Sequence, residues 1–334
     1  MAMLEHGGRL RAAALAYGIP LASWLDLSTG ISPWGYPIPT IPDTAWHRLP
    51  DPDDGLTSVA IQYYGNDHLL ATSGSQAAIQ ALPRLFSLGN VTIIGPTYNE
   101  HAAAWCAAGH AVSFVTDLDT AVDHAAPITL LCNPNNPTAT RIDRDKLLAA
   151  AQLLLKTNGW LIVDEAYGDD TPALSVTPDA GTTHAPQLVT LRSLGKFFGL
   201  AGARVGFAFG DQTLLDQLNE LLGPWSINGP ARHVAEYALA DTMWQSQQRD
   251  RIHAAGERLR VLLLSALPAA QIATTGLFST CTLKNPTEAT SLYEHLAKQG
   301  ILTRLFATDG LVRIGVPDED AWARLGDALH TWKE

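Results

Sequence analysis

The apolar positions of the chain fall into two regimes. Between Asp67 and Phe209, short unbroken apolar runs at 91–94, 112–115, 128–131, 161–163, 188–191 and 205–208 alternate with helical-period segments at 76–86, 101–108 and 143–157. A run without polar alternation has both faces buried, the condition of a strand in a parallel sheet covered by helices on each side. The pattern predicts an α/β architecture with a mostly parallel sheet. After Phe209 it changes to long helices at 212–222 and 232–267. Strands at 278–283, 301–305 and 311–314 follow, with helices at 287–299 and 318–333, which together read as a smaller α+β domain. Turn formers at 225–230 predict the link. The expected organisation is an N-terminal arm, 1–40, belonging to the small domain, then a large domain, 41–225, and a small C-terminal domain, 226–334. Near the start, a short amphipathic helix should close at Gly18, since glycine takes the left-handed conformation that ends helices.

Composition narrows the function classes. The 334 residues are 46% hydrophobic and 16% charged, enough apolar side chain for a large core and against disorder. The formal charge of −11 has the wrong sign for a surface that tracks nucleic-acid phosphates. Cys106, Cys132 and Cys281 are far apart with no CxxC pair, which excludes a disulfide framework and a thiolate zinc site. No His/Asp/Glu spacing suggests a metal either. Arg9 and Arg11 before an alanine-rich run imitate a signal peptide, but Tyr17-Gly18-Ile19-Pro20 stops the run early, and no stretch approaches ~18 apolar residues. A cytoplasmic protein is expected, with neither a membrane nor nucleic acid as partner.

Four segments at or near predicted strand ends carry the chemistry, where open α/β sheets bind ligands. Thr72-Ser73-Gly74-Ser75-Gln76 opens a helix with small polar residues, which suits either an anion or an ordinary cap. Cys132-Asn133-Pro134-Asn135-Asn136-Pro137-Thr138 presents paired asparagines on a proline-stiffened loop. Val163-Asp164-Glu165-Ala166-Tyr167 ends a buried strand on a carboxylate that needs a cationic partner. It could also cap a helix or hold magnesium, but the chain has no GxxxxGK[ST] loop. Finally, Ser193-Leu194-Gly195-Lys196 sets one lysine among small residues, with Arg204 following; partial burial there would make the amine nucleophilic.

In this order the four motifs resemble fold-type I pyridoxal-phosphate enzymes, the aspartate aminotransferase superfamily, over nearly the whole chain. The resemblance implies the fold-type I transferase fold, pyridoxal 5'-phosphate as cofactor and a homodimer whose N-terminal arm packs over the active site. His6-Gly7-Gly8, Trp24 to Pro33, and Pro96-Thr97-Tyr98-Asn99-Glu100-His101 resemble the branch of L-threonine-O-3-phosphate decarboxylases of cobalamin biosynthesis. The alternative branch is that of aminotransferases such as histidinol-phosphate aminotransferase. A coenzyme-binding regulator competes as a class, but Lys196 is retained.

The resemblance also implies roles. Lys196 forms the Schiff base with the coenzyme and then moves protons. Asp164 pairs with the pyridinium nitrogen, and Tyr98 stacks on the ring. Asn136 and Tyr167 reach the phenolic oxygen. Ser75, Gln76, Ser193 and Arg204 cradle the coenzyme phosphate. Arg313 clamps the substrate α-carboxylate, with Asn136 also on the substrate side. Leu49 stands where the family often has a tyrosine that reaches the neighbouring subunit's coenzyme, so either Tyr63 or Tyr64 substitutes or a contact is lost. For the substrate phosphate the expectation is Arg141, assisted by His6 and the backbone of Gly7 and Gly8; alternatively Arg141 pairs only with Asp143 or Asp145.

Overall fold

The computed structural model describes residues 6–332 and divides into two compact units, Gly35–Asn136 with Thr140–Gln245, and Met1–Trp34 with Pro137–Ala139 and Ser246–Glu334. The larger unit is built on a seven-stranded sheet. Its spatial order is Leu69–Thr72, Gly206–Phe209, Leu188–Ser193, Trp160–Asp164, Ile128–Cys132, Asn90–Ile94, Ala111–Val115. Adjacent pairs are parallel except the two made by Gly206–Phe209. Ile128–Cys132 is buried at every position, as the unbroken apolar run requires. On one face Ile79, Ile93, Trp105, Leu130, Ile162, Val189 and Leu218 form a continuous core. The register pairs Cys132 with Asp164 and Asp164 with Leu191, so the carboxyl ends of three neighbouring strands fall within two residues of one level, Leu188–Ser193 reaching furthest. The loops that leave this edge carry the chemistry.

The smaller unit holds an antiparallel sheet ordered Arg304–Phe306, Leu311–Gly315, Phe278–Thr282, Gln271–Thr274. Leu259, Leu263, Leu292, Leu296, Ile314 and Leu325 fill its core. Leu25–Asp26 pairs in parallel with Ile301–Leu302. The helix Leu10–Tyr17 closes on Gly18 at φ 68° and packs through Ala13 near Trp24, Ala297 and Leu302. Among the described residues no helix is long and apolar enough to cross a membrane.

The pattern of elements departs from expectation in five places. The single helix expected at 232–267 is two, Gly229–Ala240 and Thr242–Ala266. Asp241 leaves helical geometry at φ −85°, ψ 80°, and its carboxylate accepts from Trp244 N at 2.9 Å, a local bond that competes with helix continuation. The break at 225/226 is also displaced: Gly229–Ala240 belongs to the large unit, with Arg232 Nε 2.6 Å from Asp54 Oδ2 and His233 on the Thr40 carbonyl. The arm ends at Trp34 rather than 40, because Tyr36 N donates to Phe198 O at 2.8 Å and its hydroxyl to Asp241. Strands Leu69–Thr72 and Gln271–Thr274 and helix Leu56–Tyr64 had no counterpart in the pattern. The helix expected at 318–333 is Trp322–His330 behind a turn of 3-10 helix at Glu319–Ala321; its expected last residue lies outside the described ones.

Candidate active site

All nine residues assigned to the coenzyme from sequence line one pocket of about 680 Å³ in the large unit: Ser75, Gln76, Tyr98, Asn136, Asp164, Tyr167, Ser193, Lys196 and Arg204. Their elements arrive at the level edge of the sheet, which is why residues so far apart in sequence converge.

Asp164, the last residue of Trp160–Asp164, is 4% exposed. One oxygen accepts from Ala166 N at 2.9 Å and the other lies 2.8 Å from His101 Nε2. Burial alone would depress the His101 pKa, but the bond to Asp164 and the neighbouring Cys132 outweigh it and raise the group from 6.5 to about 10. The cation needed by Asp164 is therefore His101, which the sequence placed in a functional segment without a role. Its signal was local: Tyr98 and His101 are three residues apart where the helix Asn99–Ala107 begins, the spacing of side chains on one face. His101, Cys132 and Asp164 also form a nitrogen, sulfur and oxygen trio. An imidazolium hydrogen-bonded to the carboxylate has no lone pair for a metal, so the trio works as an ion pair.

This pair makes stability depend on pH in a stated direction. His101 binds its proton more tightly folded than unfolded, so its contribution is complete below about 6.5 and fades as pH rises through about 10. A pH series of denaturant titrations should show the wild type losing several kcal/mol, order of magnitude, over that window, and His101→Gln lacking that slope. Parallel curves would disprove the pairing.

Tyr98 donates its hydroxyl to Gln76 Oε1 at 3.1 Å, and Gln76 Nε2 donates to Glu100 Oε2 at 2.9 Å, which also receives Gln80. The Gln76 side-chain amide is thus engaged with Tyr98 and Glu100, and its backbone N–H, in the first turn of Ser75–Ala81, is what a phosphate would meet. Burial first, then Glu100 and Asp164, raise the Tyr98 pKa, leaving a neutral phenol. The asparagine loop is shaped by its own members. Asn133 exchanges two bonds with the Ile142 backbone, at 3.0 and 2.9 Å, and Asn135 accepts from Thr97 and donates to the Pro96 carbonyl, both at 2.8 Å. Asn136 lines the pocket.

Lys196 follows the tight turn after Leu188–Ser193, fixed by Leu194 N to Val205 O at 3.1 Å and Gly195 N to Ser193 Oγ at 3.2 Å. Its Nζ stands 5.4 Å from the centroid of the Tyr167 ring. At the other end Arg204 holds a left-handed backbone, φ 56° and ψ 56°, a costly state for a residue with a side chain. Its guanidinium lies over Gly74, where a Cβ would come within 2.6 Å of Nη2. Of the two tyrosines named for the place of Leu49, Tyr63 donates to Asp169 at 3.1 Å, and Tyr64 packs on Phe207 and Phe209.

The residues assigned to substrate divide between the two units. Arg141 belongs to the large one and ion-pairs at 3.5 Å with the buried Asp170, a partner distant in sequence that the expectation did not include. In the small unit Arg313 is buried, donates to the Ser28 carbonyl and lies over the Phe278 ring. Gly8 N donates to Ser28 Oγ at 2.7 Å, and a Cβ on Gly7 would meet Ser28 O at 2.4 Å. His6 and Gly7 line a pocket of about 880 Å³ that also contains Arg9 and Arg304. Sequence reasoning missed Arg304. It faces Arg313 in register on the adjacent antiparallel strand. Like charges directly opposite repel, so this arrangement favours anions nearby.

The large-unit pocket thus offers a carboxylate at its floor, a lysine amine beside an aromatic ring, and a guanidinium with hydroxyls beside a glycine that leaves room. These donors fit the ring nitrogen, aldehyde and phosphate of pyridoxal phosphate. Comparison with known proteins agrees. The family model "Aminotransferase class I and II" matches residues 43–329. Threonine-phosphate decarboxylase of Pseudomonas aeruginosa is 50% identical over 99% of both chains, and that of Sinorhizobium sp 40% identical over 98% of both. The structure of histidinol-phosphate aminotransferase from Sinorhizobium meliloti in complex with pyridoxal-5'-phosphate superposes with a TM-score of 0.84 over 99% of this chain and 98% of that one, at 20% identity. The chain belongs to the aminotransferase class I and II family, with the fold-type I architecture.

Proposed function

We propose that this protein is a pyridoxal-phosphate-dependent decarboxylase that converts L-threonine O-3-phosphate to (R)-1-aminopropan-2-yl phosphate for cobalamin biosynthesis. The observation that carries the reading is half identity, end to end, with a threonine-phosphate decarboxylase. Bound in the pocket, the coenzyme supplies an electron sink for the pair left when carbon dioxide departs. Lys196 would hold it covalently, with Asp164 beneath, Tyr98 as wall, Asn136 and Tyr167 as hydrogen-bonding groups, and Ser75, the Gln76 amide, Ser193 and Arg204 at its phosphate.

The chain's own groups then divide the work. Asp164 is committed to the His101 imidazolium. Tyr98 stays a neutral phenol. Lys196 Nζ is the group left to hand a proton to the carbon that has lost its carboxylate. Arg313 takes the α-carboxylate with a planar fork.

The substrate phosphate carries close to two negative charges at neutral pH and needs cations in this acidic chain. His6 with the backbone of Gly7 supplies one side, while the Gly8 N–H is held by Ser28 Oγ. Arg304 lines the same pocket as His6 and Gly7, and Arg141 ion-pairs with Asp170. Arg304→Ala should therefore lower kcat/KM on L-threonine O-3-phosphate by roughly ten- to a hundredfold and spare L-threonine, with Arg141→Ala the smaller loss. Equal losses on both substrates would remove these arginines from phosphate reading. Release of carbon dioxide without keto acid, followed separately on L-threonine O-3-phosphate, is the test of the reaction itself; keto acid as main product would favour the aminotransferase alternative.

The protein is further proposed to be a homodimer. Residues 38–49 run beside helix Gly229–Ala240, and there Ile38, Trp46, Leu49 and Tyr237 are 61%, 66%, 66% and 49% exposed. An apolar face of this kind suits a second copy of the chain. Sedimentation should give a dimer, and Trp46→Glu with Leu49→Glu a monomer of reduced activity. A fully active wild-type monomer would overturn this.

A further inference from the structure

Behind the pocket lies a charged cluster that the reaction does not use directly. Arg192, buried on Leu188–Ser193, reaches Glu165 Oε2 with Nη1 at 2.6 Å and Asp169 Oδ1 with Nη2 at 2.5 Å. Glu165 accepts further from Ser175 Oγ, from Val176 N at 2.7 Å and from Thr177 Oγ1 at 2.8 Å. Asp169 accepts from Tyr63, and the guanidinium sits 4.8 Å from the Tyr64 ring centroid. Burial opposes the charge of Arg192, but Asp169 and Glu165 more than restore it. Buried ion pairs of this kind add little stability over well-packed apolar side chains, so their use is sought in geometry.

The two carboxylates bracket Tyr167: the loop runs Glu165, Ala166, Tyr167, Gly168, Asp169, and one planar fork grips both ends. Gly168 lies directly on that fork, where a Cβ would stand 2.8 Å from Nη1. On its own strand Arg192 is followed by Ser193 and the turn that carries Lys196. One rigid guanidinium therefore joins the segment bearing Tyr167 to the segment bearing Lys196, whose side chains meet at 5.4 Å.

We propose that Arg192, Glu165 and Asp169 form a clamp that sets the spacing between Tyr167 and Lys196, with Arg192 and Asp169 as positioning residues. The inference rests on the reading that this pocket holds pyridoxal phosphate on Lys196. Its test needs no substrate. Asp169→Asn still accepts from Arg192 and Tyr63 but loses its charge, and Arg192→Lys keeps the charge but cannot fork. Both should raise the Kd for pyridoxal phosphate roughly tenfold, the scale for residues that orient ligand-holding groups. Both should also move the pH midpoint of the bound coenzyme's visible absorption in the direction seen with Tyr167→Phe. In a Tyr167→Phe background Asp169→Asn should add less than about twofold in Kd, since residues acting through one another are non-additive. Wild-type Kd and midpoint in Asp169→Asn, or full additivity with Tyr167→Phe, would overturn the clamp. If both variants fail to fold by near-ultraviolet circular dichroism, Tyr63→Phe, which removes one donor from Asp169, should give the same shift in smaller size; no shift would overturn it. A wild-type protein that takes up the coenzyme normally while these results fail sinks the clamp alone, and one that takes up none sinks the functional reading with it.

Discussion

Lys196→Ala should fold, with a Tm close to wild type, and turn over substrate on the order of 10⁴-fold more slowly, the upper range for losing a proton-transferring side chain. The side chain is half-buried above the Tyr167 ring, so truncation opens space without stranding a buried charge. The turn beneath it is held by backbone bonds and by Ser193 Oγ, which the substitution leaves in place. Single-turnover assays beside thermal melts separate lost chemistry from lost fold. A Lys196→Ala enzyme within tenfold of wild type would remove the lysine from the mechanism.

Asp164→Asn should carry the second-largest effect, a fall in kcat on the order of 10²–10³-fold, as when one preorganised electrostatic group is removed. His101 carries the effect on stability and charge. Its imidazolium exists because a carboxylate lies 2.8 Å away; without that charge, burial pushes the ring toward the neutral form. Breaking a buried pair also costs about 3–5 kcal/mol of stability. NMR titration of His101 reads the first consequence and denaturant unfolding the second. An imidazolium that persists unchanged in Asp164→Asn would contradict the pairing.

The parts of this molecule that could be read from the chain are those where local chemistry is unusual. Gly74, Pro134, Pro137 and the small residues around Lys196 each mark a backbone that turns sharply at a strand end, and all of these turns fall at the level edge of the sheet. What escaped was decided by partners distant in sequence. Arg192, one residue beyond the strand expected at 188–191, has no role legible in the sequence, because Glu165 and Asp169 meet it only after two strands pair. Arg304 acquired meaning from its register with Arg313, which no periodicity encodes. Gln76, which the resemblance gives to the phosphate cradle, also engages Tyr98 and Glu100 through its side chain, contacts that no local pattern encodes. The break at Asp241 came from a single side-chain bond to Trp244 N inside an otherwise helical run.

The central claim, that this pocket holds pyridoxal phosphate on Lys196, is tested most directly by reducing the reconstituted protein with borohydride and mapping its peptides. One pyridoxyl group per chain is expected, on Lys196. A pyridoxyl group on another lysine, or none after reconstitution, would contradict it.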